Sequence, residues 1–258
     1  MRRLLLAFLV SLSCLTASGI AAAQSCATPD AVLAHYASAL GGEAALSGMQ
    51  TLAIEASATE PHTFNPSIMA HYRYWFEWKS PDKMKVRQHY ALSFATYIFD
   101  GLAWSLYNGK VSHNEDNTPE WRRQLMRIPY NDDPQFLMFR VAANPLLVAT
   151  TKNLYRRYEL LPGEPGTCEL EAFGRSEWGL RRDTLAFDAA SGLLRTWTIE
   201  AGEPRDHAHF QFDFDDYQQA GDLMFPRSIY FDFYKTQFRI TSIVVNAPVR
   251  DADFVVRQ

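Results

Sequence analysis

The chain has 258 residues, a formal net charge of −4 and an aromatic content of 14%. This length is ordinary for one large β domain and does not require two domains. The 25 basic and 29 acidic residues are interspersed, so no charged block gives the electrostatic footprint of nucleic-acid binding.

The N-terminus has the pattern of an export signal. Arg2 and Arg3 precede an apolar run, Leu4 to Val10, that is too short to span a bilayer, and Ala21-Ala22-Ala23 supplies a cleavage site. We predict a signal peptide over residues 1–23, export to the periplasm, and a single mature domain over residues 24–258. Lipidation at Cys14 or Cys26 is the alternative, although neither context resembles the usual lipoprotein pattern.

Two cysteines remain after this cleavage, Cys26 and Cys168. In an exported protein an even pair favours a disulfide over a metal site. Such a bond would join the mature N-terminus to the middle of the chain. The alternative is two unrelated thiols.

One amphipathic helix is predicted at the start of the mature chain. Thr28 is an N-cap, Pro29 occupies the first helical position, and Gly41-Gly42 ends the helix. The apolar residues recur at helical spacing: Val32, Leu33, Tyr36 and Leu40. A short helical turn, Glu43 to Leu46, is expected to follow.

From residue 52 onwards the apolar pattern has a period of two, which is typical of strands with one buried face. Turn signals recur about every 8 to 12 residues, as in antiparallel sheets. Besides strands near residue 54, residues 71–79 and residues 84–90, the candidate strands are Ser93 to Phe99, Leu102 to Tyr107, Leu154 to Leu161, Cys168 to Phe173, Asp183 to Asp188, Leu193 to Ala201, His207 to Tyr217, Ser228 to Tyr234 and Phe238 to Val245.

Residues 127–152 interrupt this pattern with two apolar, helix-like segments around Asn144-Pro145. A sheet with one open apolar face needs a cover. We predict that these segments form a lid over the sheet through Phe136, Phe139, Leu146 and Leu147.

The strands carry an excess of aromatic side chains, and a conventional core is the simplest interpretation of each one. The alternative is a curled sheet whose concave face holds an apolar ligand. On that interpretation the predicted wall of the cavity is Tyr72, Tyr74, Phe76, Trp78, Trp104, Leu106, Phe210, Phe212, Phe214, Phe231 and Phe233.

Familiar catalytic and cofactor motifs are absent from the sequence: there is no G-x-S-x-G, GxGxxG, P-loop, HExxH or Cys-x-x-Cys. His207 and His209 would share one face of a strand and could begin a metal site, but no third ligand is fixed nearby. Two solvent-facing histidines are the simpler interpretation. We therefore predict no catalytic residue, no metal and no cofactor.

Several segments together resemble the periplasmic lipoprotein-carrier (LolA/LolB-like) superfamily. They are "LAIEA", "FEWKSPDKMKVR", "FDGLAWSLYNGKV", "FDAASGLLRTWTIE", "FDFDDYQQAGDLMFPRSIYF" and "VVNAPVRDADF". The resemblance implies a mainly β fold: an unclosed antiparallel half-barrel of about eleven strands, with helices covering its concave face. One position departs from the family pattern, because Ser80 stands where the carrier's Lys-Arg-Pro turn has arginine.

These observations favour a non-catalytic periplasmic carrier or binding protein for a lipid, an acylated lipoprotein or another hydrophobic ligand. One alternative is an enzyme that uses the same cavity for an apolar substrate, with His207, His209, Arg195 and Glu200 as candidate polar groups. A second alternative is an envelope protein-interaction module.

Overall fold

A computed structural model describes residues 26–62, 65–80, 83–90, 93–99, 104–108, 111–113, 155–176, 179–201 and 208–255. Several predictions lie outside these residues: the signal peptide with its cleavage site, the lid residues Phe136, Phe139, Leu146 and Leu147, and His207. Trp104 and Leu106 lie in a described strand, but their side chains lie outside the described part.

The described chain begins with two helices and continues with strands. Helix α1 is Pro29–Ala39 and helix α2 is Gly42–Gly48, and a 3₁₀ helix, Asp251–Phe254, follows the last strand. The strands are β1 (Thr51–His62), β2 (Asn65–Lys79), β3 (Lys83–Tyr90), β4 (Ser93–Phe99), β5 (Trp104–Asn108), β6 (Val111–His113), β7 (Tyr155–Leu161), β8 (Thr167–Ser176), β9 (Gly179–Asp188), β10 (Leu194–Ala201), β11 (Ala208–Ala220), β12 (Leu223–Phe231) and β13 (Thr236–Val245).

All thirteen strands form one antiparallel sheet in the order β6-β5-β4-β3-β2-β1-β13-β12-β11-β10-β9-β8-β7. Among the described strands, the first and the last, β1 and β13, pair at the centre of the sheet, whereas β6 and β7 are its two edges, so the sheet is not closed. The predicted open antiparallel half-barrel is confirmed. The described part has thirteen strands rather than about eleven, and the three-residue β6 was not predicted.

Helix α1 is positioned by its two ends. The Thr28 hydroxyl accepts a hydrogen bond from the Ala31 amide at 3.1 Å, as its prediction as an N-cap requires. At the other end, Gly41 has φ = 122°, and a Cβ there would lie 2.2 Å from the carbonyl oxygen of Asp222. Glycine therefore allows the helix to end directly against the β11–β12 turn.

Helix α1 packs on the apolar face of the sheet, which we call the inner face. The Tyr36 ring lies 5.1 Å from that of Phe187 in β9, and the Leu40 carbonyl accepts a hydrogen bond from the Met224 amide in β12. Val32, Tyr36 and Leu40 are at most 2% exposed. Among the described residues, no helix is long and apolar enough to cross a membrane.

Because the strands alternate in direction, the sheet has two distinct ends. The helix end carries α1, α2 and the turns after β7, β9 and β11. The opposite end carries the connections β1–β2, β3–β4, β8–β9 and β12–β13, and we call it the hairpin end.

A disulfide joins Cys26 to Cys168, as predicted, with the two Cα atoms 5.3 Å apart. It connects the residues just before α1 to strand β8, 142 positions further along the chain. The bond therefore holds the N-terminal helix against the half of the sheet that is synthesised last.

Removal of this bond should lower the stability of the protein, because a cross-link over a long loop restricts the unfolded chain. We expect the Cys26→Ser/Cys168→Ser variant to lose about 3 kcal/mol of unfolding free energy in denaturant titrations. Reduction should produce a similar loss in the wild type and none in the double variant. Equal stability of the oxidised wild type and the variant would contradict this prediction.

Candidate functional site

The inner face is built by every second residue of each strand, that is, by residues of one parity (odd or even number). In the first three strands Ile54, Phe76 and Val86 lie side by side, and all are at most 4% exposed. The intervening residues point outward, where Lys85 pairs with Glu77 at 3.2 Å. This alternation separates one continuous apolar face from a charged outer face.

A cluster of aromatic rings occupies the middle of the inner face. Phe212 and Phe231 are stacked with centroids 4.5 Å apart, and Trp197 lies 5.9 Å from Phe212. All three side chains are at most 2% exposed. Phe210 continues the cluster towards the hairpin end, 6.2 Å from Phe231.

Several aromatic side chains of the inner face are more accessible near the hairpin end than those at the helix end. At the helix end, Leu223, Phe225 and Phe187 are at most 3% exposed. At the hairpin end, Tyr72, Tyr90 and Phe210 are only half-buried. An apolar chain would therefore meet accessible aromatic surface first at the hairpin end.

The predicted wall residues with described side chains do lie on this inner face, with one exception. Phe76, Phe212, Phe214 and Phe231 are buried in the core, and Tyr72, Tyr74, Trp78 and Phe210 pack against it while partly exposed. Phe233 is 55% exposed, because β12 ends at Phe231 and a turn, with Lys235 at φ = 53°, follows. Its ring nevertheless contacts Phe210 at 5.2 Å, which places it at the rim of the inner face.

A polar cluster interrupts the inner face near the hairpin end, and sequence reasoning missed it. The Glu60 carboxylate accepts a hydrogen bond from the Thr236 hydroxyl at 2.9 Å, and Tyr72 lies beside it. Burial, followed by a hydrogen bond to Glu60, raises the pKa of Tyr72 well above its usual range. Tyr72 therefore remains a neutral hydrogen-bond donor beside the carboxylate.

A second carboxylate lies deeper, at the other side of the sheet. Asp183 in β9 is 0% exposed, and its Oδ2 accepts hydrogen bonds from the Tyr155 hydroxyl and, at 2.8 Å, from the Trp197 indole nitrogen. Tyr158 lies nearby, and its burial, together with the charge of Asp183, raises its pKa to about 12. A buried carboxylate with two donors is typical of a structural anchor.

Both carboxylates had a signal in the sequence, because they share the parity of their apolar neighbours. Glu60 continues the series Leu52, Ile54, Ala56 and Ala58, and Asp183 precedes Leu185 and Phe187. A charged residue at an inward position of a strand contradicts the binary pattern and therefore marks a special site.

The polar side chains that are candidates for an enzymatic role do not come together on the inner face. Arg195 lies at a register shift of β10, is exposed and pairs with Asp188 at 2.9 Å. Glu200 pairs with Arg182 at 3.5 Å, and the exposed His209 lies opposite Glu200 on the outward positions of β11. Within the described ranges, no group of three or more His, Cys, Asp or Glu side chains could hold a metal ion.

Comparisons with known proteins identify the fold. No protein-family model matches the sequence, and neither does any curated protein. The structure is similar to that of a LolA superfamily protein from Nitrosomonas europaea, with a TM-score of 0.57 and 11% identity over 88% of this chain and 97% of that one. A DUF1329 family protein from Desulfovibrio piger ATCC 29098 matches with a TM-score of 0.53 and 8% identity over 88% of this chain and 96% of that one.

The protein thus has a LolA-like fold, as the sequence resemblance implied. At such low sequence identities the likeness concerns the fold alone, because one fold hosts many functions.

Removal of the Asp183 carboxylate should destabilise the protein, since two buried donors would lose their acceptor. We expect Asp183→Ala to cost about 2–4 kcal/mol of unfolding free energy and to change the fluorescence of Trp197. Asp213→Ala is the matched control, because Asp213 also accepts two side-chain hydrogen bonds but lies on the outer parity of β11. Similar losses in the two variants would contradict the assignment of Asp183 as an anchor.

Proposed function

We propose that the protein is a periplasmic carrier or binding protein that holds a lipid, an acylated lipoprotein or another hydrophobic ligand on the inner face of its half-barrel. On this proposal residues 1–23 are a cleaved signal peptide, and residues 24–258 form one carrier domain. The role is non-catalytic.

The observation that carries this proposal is the continuous aromatic inner face of an open sheet, accessible at one end. Alkyl chains bind apolar surfaces in proportion to the area removed from water, about 0.8 kcal/mol per buried methylene. A ten-carbon chain laid along this face would therefore have enough driving force for binding without a specific polar contact. The LolA-like fold supports the same class of ligand.

On this proposal the ligand contacts Tyr72, Tyr74, Phe76, Trp78, Trp104, Leu106, Phe210, Phe212, Phe214, Phe231 and Phe233, and the lid residues are Phe136, Phe139, Leu146 and Leu147. Ser80, in place of the family's arginine, adds no positive charge at the helix end, so the cargo need not be a lipoprotein. The candidate ligands have an apolar chain in common.

The test is ligand binding by two phenylalanine variants matched in exposure. Phe233 is 55% exposed at the inner rim, whereas Phe94 is 56% exposed on the outer face, where it stacks on His89. We expect Phe233→Ala to weaken binding of a fluorescent fatty acid about fivefold, and Phe94→Ala to leave the dissociation constant unchanged. Both variants should retain the wild-type melting temperature within a few degrees.

The same experiment includes mass spectrometry of the organic extract of the purified protein, where an amphiphile in stoichiometric amount is expected. An empty extract together with no fatty-acid binding would contradict the proposal. Equal weakening in both phenylalanine variants would place the binding surface elsewhere.

A second candidate, docking of an envelope protein, is favoured by exposed apolar side chains at the hairpin end. Ile68, Met69, Phe233 and Tyr234 are between 46% and 55% exposed there. The Ile68→Ser/Met69→Ser variant should lose binding of a protein partner but keep the wild-type affinity for the fatty acid. This result would separate the docking function from the carrier function.

A further inference from the structure

We propose that the carboxylate–tyrosine cluster of Glu60, Tyr72, Tyr74 and Tyr90, which we call the Glu60 cluster, binds a positively charged alkylammonium group of the carried ligand. This inference rests on the proposed function, since it assigns a headgroup to the same amphiphile. It selects an amine or a quaternary ammonium over an anionic headgroup.

The Glu60 cluster lies near the hairpin end of the inner face. Glu60 is two residues from the end of β1 and lies opposite Ala70 of β2, so it faces inward near the hairpin end. It is half-buried, as are Tyr72 and Tyr90. The cluster therefore lies between the accessible rim and the buried aromatic rings, where the headgroup of a ligand whose chain occupies the inner face would reside.

The Glu60 cluster carries a negative charge. Glu60 accepts a hydrogen bond from the neutral hydroxyl of Thr236, neutral Tyr72 lies beside it, and within the described residues no Lys or Arg pairs with it. Of the nearby basic residues, His71 and Arg73 have the outward parity of β2, and His62 lies two residues beyond Glu60 at the end of β1, opposite Asn65. A half-buried carboxylate without a counterion attracts a cation and repels an anion.

Three tyrosine rings surround the carboxylate side of the cluster in a stacked arrangement. The Tyr72 ring is stacked with two neighbours, with centroids 4.7 Å from Tyr90 and 6.1 Å from Tyr74. The Tyr74 hydroxyl accepts a hydrogen bond from the Gln88 amide at 2.9 Å, which fixes its ring. Tyrosine rings beside a carboxylate form the surroundings that bind ammonium groups, because the ring quadrupole adds to the attraction of the carboxylate.

The fully buried Asp183 provides a contrast within the same protein. Its carboxylate is 0% exposed and bonded to Tyr155 and Trp197, so a ligand cannot reach it without displacing core side chains. Glu60 is the inward carboxylate that remains accessible in the described part of the sheet.

The experiment compares four probes with the same ten-carbon chain below their micellar concentrations: decylammonium, decyltrimethylammonium, decanol and decanoate. Their dissociation constants are measured by displacement of a neutral fluorophore from the wild-type protein. We expect at least one of the cationic probes to bind about tenfold more tightly than decanol, and decanoate to bind more weakly than decanol. The preference for the cation should fall as salt is added, while decanol binding should not weaken.

Two variants assign the preference to Glu60. Glu60→Gln should bind the cationic probe and decanol with affinities within about twofold of each other. Glu55→Gln is the matched control, since Glu55 lies on the same strand, is exposed and has the outward parity, and it should retain the wild-type preference. If Glu60→Gln does not fold, the proposal is still tested by the order of the four dissociation constants for the wild-type protein and by the salt dependence of the cation preference.

The possible failures are distinguishable. If all four probes bind the wild type with equal affinity, the carrier function stands and the ammonium site is wrong. An unchanged cation preference in folded Glu60→Gln would also overturn it. If none of the probes binds, the proposed carrier function itself fails.

Discussion

An open sheet with one apolar face has to be covered by something other than a second sheet, and the rest of this structure follows from that constraint. The strands β6 and β7 are the two edges of a thirteen-stranded antiparallel sheet, so the sheet curves without closing. Helix α1 covers the inner face at the helix end, fixed by Gly41, by the Leu40–Met224 hydrogen bond and by the disulfide. At the hairpin end Tyr72, Tyr90 and Phe210 are only half-buried, and there the structure offers apolar surface to a ligand.

Much of this architecture could be predicted from the sequence, because it depends on local rules. Thr28, Pro29 and Gly41 define helix α1 by capping and by the conformational freedom of glycine. Alternation in β2 shows which residues face inward: Tyr72, Tyr74, Phe76 and Trp78. The disulfide could be predicted because an exported chain with two remaining cysteines favours a bond between them. Each of these features involves residues close together in sequence or a simple pairing rule.

The features that were missed depend on contacts between distant strands. A bulge at Thr241 shifts the register of β13 against β1, so that Phe238 and Ile240 share a face with Ile243 despite opposite parity. Phe233 continues the aromatic alternation of β12, but the chain has already turned, which periodicity cannot detect. The Glu60 cluster combines residues of β1, β2, β3 and β13, and only the register of these strands brings them together.

The central claim is that the inner face binds an apolar chain, and a crystal structure with a brominated decyl amphiphile tests it most directly. The account predicts anomalous bromine peaks on the inner face, between the hairpin end and the Phe212–Phe231 pair. An inner face filled entirely by the protein's own side chains, with bromine only on the outer face of the sheet, would contradict it.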